Sequence, residues 1–519
     1  MSSDTSDIQQ IDADATDIQQ IDADASDIQQ INSFNRIDAD ATDIQQIKNV
    51  KEFSREFYSE SKKLWYLAAP AICTLVFQYS ISAITQVFAG HVGDIQLAAV
   101  SVENNLIAGF AFGVLYGMGS ALETLCGQAV GARKLDMLGI YMQRSWIILA
   151  VTVIPLTSVY ILTTPILKLL RQNPQIAKAA GRFTLWMIPE LFAYVIIFPV
   201  QKFLQSQSKI FVMASITVVA FVGHVVFSWL FMLKLHWGLP AAAVVLNATW
   251  LFIMVAQLVY IFSGACADAW NGFSLKAFEN LRGFVRLSLA SGVMFCLEMW
   301  YFVALILISG YTKNAEISVD ATSICINILQ WTIMVGIGFN AAISVRVSNE
   351  LGACHPRTAK FSVVVATTTS VFIGIILGLI PVLLRSHYPP LFTKSSSVQQ
   401  LVYDLTPLLG LTITLNSLQP TLSGVAIGAG WQSHVAYVNI VCYYLVGIPI
   451  GLILGFVFKK GLKGIWYGMV TGNVVQTIAV IVMVLRTDWK KEALLAGDRI
   501  KKWGGDSESQ PVEAVSDDD

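Results

Sequence analysis

Between residues 64 and 485 the chain runs as twelve apolar segments separated by short polar breaks, with approximate limits 64–89, 96–121, 137–161, 183–204, 210–232, 239–262, 284–309, 317–343, 360–384, 401–427, 434–458 and 464–485. Each is close to the roughly 20 residues that a helix needs to cross the hydrocarbon of a bilayer. The pattern predicts an all-α integral membrane protein of twelve transmembrane helices; hydropathy alone does not separate twelve spans from eleven and one re-entrant segment. The longest internal polar break, 263–282, divides the spans six and six. The expected organisation is a tail over 1–60, an N-terminal six-helix lobe over 61–265, a linker over 266–282, a C-terminal six-helix lobe over 283–488 and a second tail over 489–519.

The halves resemble each other. A shift of 221 aligns SALETLCGQAVGA, residues 120–132, with AAISVRVSNELGA, residues 341–353, so that Gly131-Ala132 meets Gly352-Ala353 and Gly117 meets Gly338. A shift of 218 brings Pro189 onto Pro407 and Gln201 onto Gln419. An even number of spans per half, repeated in the same direction, implies parallel repeats about an axis along the membrane normal, with a transport site between the lobes. Gly109, Gly113 and Gly117 recur every four residues, a thin stripe suited to close helix packing and to bending.

Composition agrees with the pattern and adds orientation. With 55% hydrophobic and 13% charged residues and a mean hydropathy of +0.60, the chain cannot be an ordinary soluble multidomain protein. The net charge of −1 conceals an asymmetry, because residues 1–47 hold eleven Asp against one Arg, and residues 506–519 add six acids. Lys and Arg between the spans concentrate in the loops that twelve spans with both termini inside would leave in the cytosol. No cleavable signal pattern opens the chain, and the seven cysteines are scattered without metal-ligand spacing, as expected of small core residues in a reducing compartment. Residues 6–47 repeat a decapeptide, SDIQQIDADA, TDIQQIDADA, SDIQQIN and then RIDADATDIQQI. Acidic and poor in apolar residues, it reads as a solvated tail with no face to pack on the helices, or as a regulatory or docking arm.

Candidate chemistry centres on Glu298, near the middle of the seventh segment and roughly 18 Å along a helix from Arg286, the nearest preceding charge. A carboxylate at that depth is costly unless it is protonated, partnered or facing a wet cavity, so an intramembrane acid is by default functional. Glu190 lies within the fourth segment beside Pro189, Asp404 near one end of the tenth, and Glu103 with Asn104 near the start of the second, where an interfacial role suffices. Arg346 and Glu350, at i,i+4 spacing, read as a solvated loop pair or as a gate joining partners on the first lobe. Gln78, Tyr79, Trp300, Tyr301, Trp331 and Gln419 offer, as a set, stacking and hydrogen bonds to a planar organic substrate. No GxxxxGK[ST] motif provides a phosphate cradle, and His224, His236, His355, His387 and His434 are too dispersed for a membrane enzyme's catalytic cluster. No cofactor, metal site, catalytic residue or nucleic-acid partner is expected.

The strings GMGSALETLCGQAVGA, SVRVSNELGA, CLEMWYF and LNSLQPTLSGVAIGAGWQ resemble the plant-type multidrug and toxic compound extrusion transporters, also called the detoxification family, and among them the flavonoid-carrier branch. The resemblance covers about residues 60–490 and omits the acidic repeat. It implies two six-helix lobes around a V-shaped cavity, and export of flavonoids, other secondary metabolites and xenobiotics in exchange for protons. It makes Glu298 the proton-coupling acid, with Asn416 standing where the drug-export branch often has a second acid; Tyr301, Glu190 and Asp404 are supporting candidates by position in the chain. The first segment has no acid between residues 64 and 89, so the first-lobe aspartate of bacterial relatives has no counterpart there. The branch suggests the vacuolar membrane, with the plasma membrane, a citrate exporter and a lipid-linked saccharide flippase as alternatives. A parallel-repeat transporter encloses its own pathway, so a monomer is expected.

Overall fold

Each apolar segment becomes a helix, because inside a bilayer only a helix satisfies every backbone N–H and C=O within its own segment. The computed structural model describes residues 42–170, 172–312, 315–393 and 395–504, and among these there is no strand. In chain order the spans are α1 (Val50–Val92), α2 (Asp94–Gly131), α3 (Asp136–Ile161), α4 (Pro174–Trp186 with Ile188–Ser206), α5 (Ile210–Lys234), α6 (Leu239–Ala265), α7 (Leu281–Ser309), α8 (Ala315–Gly352), α9 (Pro356–Leu383), α10 (Ser396–Ala429), α11 (Gln432–Val457) and α12 (Gly461–Arg486). Eleven are continuous, and the twelfth, α4, is two pieces meeting at 47°. Pro189 accounts for the bend: at the start of the second piece it has no N–H to offer the turn behind and its ring crowds that turn, so the helix breaks at Met187. Hence α4 starts nine residues before the expected 183.

Two boundaries drawn from sequence move. The first tail was expected to run to residue 60, yet α1 begins at Val50, capped by the Asn49 side chain accepting from the Glu52 N–H at 2.8 Å. Its leading turns look like tail in sequence because most of their residues are polar. Residues 42–48 are also packed: Ile44 and Ile47 lie against the core, which corrects the reading of the repeat as having no packing face. Residues 1–41, with the first three copies of the repeat, lie outside the described residues. At the other end, residues 489–504 form a thirteenth helix, α13 (Trp489–Gly504), rather than tail. Trp489, Ala493, Ala496 and Ile500 fall on one stripe and are buried, while Lys490, Lys491, Lys501 and Lys502 face outward. Arg144 of α3 donates to the carbonyls of Trp503 and Lys276, both at 3.1 Å, and so ties α13 and the linker to the first six helices.

The halves meet through equivalent helices. α1 packs along α8, and α2 packs along α7 and α8. A Cβ on Gly117 would lie 2.9 Å from the Gly292 Cα of α7, and one on its counterpart Gly338 would lie 3.0 Å from the Ile72 Cα of α1. At one end of the bundle the contact is reciprocal. A Cβ on Gly131 would fall 1.9 Å from the Asn349 carbonyl oxygen, and one on Gly352 would fall 2.1 Å from that of Gln128. All four residues correspond under the shift of 221, so the pseudo-two-fold axis runs between them. α13 and the start of α1 lie at this same end, called the terminal face below.

Candidate functional site

In the second half one acid sits in a cluster of uncharged polar side chains. Glu298 sits mid-way along α7, half-buried, and its Oε1 accepts from the Asn439 Nδ2 of α11 at 3.1 Å and the Ser423 hydroxyl of α10 at 3.3 Å. Both donors are themselves oriented. The Gln476 amide of α12 donates to Asn439 Oδ1 at 3.3 Å, which turns the Asn439 NH2 toward the acid. Gln419 donates to Ser423 Oγ at 3.1 Å, leaving the serine proton for Glu298. Three helices, α10, α11 and α12, therefore aim two relays of donors at one carboxylate on a fourth, α7. A neighbouring pair, Asn473 Nδ2 to Asn416 Oδ1 at 3.3 Å, continues the polar seam, and Asn416 Nδ2 has no partner among the described residues.

The first half is arranged differently. Glu123 of α2 and Lys202 of α4 form a fully buried ion pair, Nζ to Oε2 2.8 Å, with the ammonium 4.9 Å from the centre of the Tyr116 ring. Glu190 accepts from the Tyr194 hydroxyl, and it lies within electrostatic reach of Glu103 on α2. Glu103 is 1% exposed, two and a half turns along α2 from its start at Asp94, and neither of its oxygens has a hydrogen-bond partner among the described residues. His224 is buried between Thr85 and Thr249, with each ring nitrogen 2.9 Å from a threonine hydroxyl.

The terminal face is closed by a second charged cluster. Arg346 of α8 is fully buried, and its guanidinium donates through Nε and Nη2 to the two oxygens of Glu60 on α1, at 2.8 and 3.0 Å. Nη2 also reaches Glu350 Oε1 at 2.9 Å, and His355 approaches the other Glu350 oxygen at 3.0 Å. The first-lobe partner of Arg346 is thus Glu60, which the sequence reading had assigned to the tail. Nearby, Thr124 donates to the Ile427 carbonyl, and Gln128 to that of Gly428 at 3.1 Å, stitching α2 to α10.

The remaining predicted residues separate. Tyr79 of α1 meets Trp331 of α8 edge-on, with ring centres 5.0 Å apart, and Trp300 of α7 stacks on Phe110 of α2 at 5.8 Å, so both tryptophans bridge the lobes. Their exposures of 41% and 45% leave much of each ring free for a solute or lipid. Gln78 is buried with its Nε2 unpartnered among the described residues. Tyr301 is buried against Tyr443 and donates to the Met469 carbonyl at 3.2 Å, a packing role apart from the Glu298 relays. Asp404 pairs with Lys463 at 2.9 Å in an exposed position and has no part in the cluster. Glu60, Ser423, Asn439, Gln476 and the Glu123–Lys202 pair were not singled out beforehand. The signal for the amides was their presence inside apolar segments, with Asn473 and Gln476 spaced i,i+3 on one face of α12.

A two-lobed, twelve-helix membrane bundle with buried polar clusters in each lobe and paired helices across a pseudo-two-fold axis is a secondary transporter frame. A model of the MatE family matches the chain twice, over residues 70–230 and 290–453, one match in each half. The protein belongs to the MatE family of multidrug and toxic compound extrusion transporters. Protein DETOXIFICATION 29 of Arabidopsis thaliana is 62% identical over 457 residues, covering 88% of this chain and 91% of the relative. Protein DETOXIFICATION 30 of the same plant is 60% identical over 461 residues, covering 89% and 93%. The crystal structure of the eukaryotic MATE transporter AtDTX14 matches with a TM-score of 0.82 at 33% identity, covering 86% of this chain and 99% of that one. The Vibrio cholerae MATE transporter VcmN, at 16% identity and a TM-score of 0.73, shares the fold.

Proposed function

We propose that this transporter is a secondary antiporter that exports organic solutes from the cytosol in exchange for protons, with Glu298 as the proton-binding group. The observation that carries this reading is the convergence of two oriented donors, the Ser423 hydroxyl and the Asn439 amide, on a half-buried carboxylate in mid-membrane. Hydrogen bonds to a charged acceptor contribute about 1.5–3 kcal/mol each. Protonating Glu298 weakens both, loosening α10 and α11 from α7, and deprotonation restores them. Such a proton can shift the balance between two lobe arrangements only by its differential affinity for them, and bonds of this size supply enough. The terminal face, sealed by the Arg346 cluster, is taken as cytosolic from the distribution of Lys and Arg. Arg346 and Glu350, with Glu60, form the gate that must part for loading.

The substrates fit planar organic solutes such as flavonoids. The half-exposed Trp300 and Trp331 supply stacking surface between the lobes, and the curated relatives carry the name DETOXIFICATION. The vacuolar membrane, cytosolic termini and a monomeric state complete the proposal. Proteoliposomes with an imposed pH gradient, offered flavonoid glycosides, cationic alkaloids and citrate, test it. Gradient-driven uptake of a planar organic solute is expected, and Glu298→Gln should abolish it without loss of folded protein. Uptake indifferent to the gradient, or retained above about half in Glu298→Gln, would sink proton coupling at this residue.

A further inference from the structure

We propose that the terminal face carries a receptor groove for the hexapeptide [ST]DIQQI, and that all four copies in this chain, not only the docked one, are its ligands. The copy at 42–47 shows how the motif is held. The Asp43 carboxylate sits at the N-terminus of α9, where it accepts from the Thr358 N–H at 2.8 Å, the Thr358 hydroxyl at 2.9 Å and the Arg357 N–H at 3.3 Å. The Ile44 N–H donates back to Thr358 Oγ1 at 3.0 Å. This supplies from elsewhere in the chain the cap that α9 lacks locally, since His355 at its N-cap position makes no side-chain capping bond. Ile44 and Ile47 pack against the core, while Thr42, Gln45 and Gln46 face outward. The space between this segment, α1 and α9 measures about 520 Å³ and reaches Glu60.

Ser6 to Ile11, Thr16 to Ile21 and Ser26 to Ile31 repeat the same six residues, with the aspartate and both isoleucines in place. The position that differs, Ser or Thr, is exposed in the docked copy. Each upstream copy therefore brings every group that makes a contact. Eighteen residues lie between Ile31 and Val50, and thirty-eight between Ile11 and Val50. Effective concentration falls as about the −3/2 power of tether length, so the first copy is disfavoured only about threefold against the third. The fourth copy has the advantage of direct connection to α1. When it is released, three spares compete to refill the groove. The occupied groove clamps the start of α1, in the first lobe, onto α9, in the second, one helical turn from the hydrogen bond that Ser362 donates to Glu60 at 2.5 Å. Tandem ligands make that clamp quick to re-form after each opening of the terminal face.

The test is amide hydrogen exchange at Arg357 and Thr358 in the full chain in nanodiscs, comparing wild type, Asp43→Ala, and the fourfold variant with Asp7, Asp17, Asp27 and Asp43 all changed to Ala. Asp43→Ala alone should speed exchange less than about threefold, because an upstream aspartate takes the vacancy, whereas the fourfold variant should speed it about tenfold or more. Equal acceleration in both variants overturns the proposal, since the upstream copies then never reach the groove. Unchanged protection in the fourfold variant also overturns it, because the carboxylates would then not hold the cap. Melting temperature, followed in parallel, should fall by no more than a few degrees across the series, because the contacts removed are cap contacts at the start of α9.

Discussion

The two lobes share a frame and differ in how they treat buried charge. In the first, Glu123 is neutralised permanently by Lys202 at 2.8 Å, beneath the Tyr116 ring. In the second, Glu298 meets neutral donors among the described residues, the Ser423 hydroxyl and the Asn439 amide, each held by a further amide. A buried ion pair is costly to break from either side, because removing one partner strands the other charge in the core. A carboxylate held by hydroxyl and amide groups can be charged or neutral at modest cost, and it keeps part of its surface accessible. What separates the two is the partner: the first-lobe acid is ion-paired, whereas the acid proposed to bind the proton is hydrogen-bonded and not ion-paired among the described residues.

The sharpest test on the first-lobe side is Lys202→Met, which strands Glu123 in the core and should cost about 3–5 kcal/mol. Thermal unfolding in detergent should show the loss, and adding Glu123→Leu should recover it with uptake within about twofold of wild type. A double variant that regains its melting temperature but not its transport would place the pair in coupling and break the comparison. On the second-lobe side Glu298→Gln should do the opposite, leaving the melting temperature nearly unchanged and lowering gradient-driven uptake at least twentyfold. Glu190→Gln, in the same assay, should keep at least half the rate; equal losses in the two would show that both lobes titrate.

The shared frame gives smaller effects. Gly127→Ala should cost about 1–3 kcal/mol by overpacking, because the new methyl would fall 1.8 Å from Ser348 Oγ. Ser348→Gly in the same chain should recover most of that cost, and failure of this rescue in a melting experiment would show that the strain lies elsewhere. Asp404→Asn breaks only an exposed pair with Lys463 and should change stability by less than about 1 kcal/mol and uptake by less than twofold. A larger loss of uptake would return Asp404 to the site.

The fold was legible in the sequence because apolar runs of helical length leave a bilayer protein few alternatives, and the shift of 221 already paired the glycines that make equivalent close contacts on either side of the axis. Glu298 was legible because a lone acid in an apolar run stands out. Glu60 was not: it sits among Ser, Lys and Tyr in a polar stretch, and only folding shows that the stretch is helical and that Arg346, 286 residues away, lies opposite. The relays were also hidden, since Asn439 and Gln476 are single amides within apolar segments and acquire meaning only when α7, α10, α11 and α12 converge. The burial of Glu103 was hidden for a simpler reason, that its helix starts earlier than hydropathy suggests.

The seam at the terminal face has the geometry of an isologous dimer interface, in which residue i of one copy touches residue j of the other and j touches i. Gly131 with Asn349, and Gly352 with Gln128, obey that rule. Gly127 and Ser348 cannot, because they are each other's counterparts and face each other across the axis. In a true homodimer that position would confront itself, as two glycines with a void between them or two serines in collision. Covalent joining of the halves removes the constraint: a knob can occupy one side and a hole the other, a fit that two identical subunits could never make.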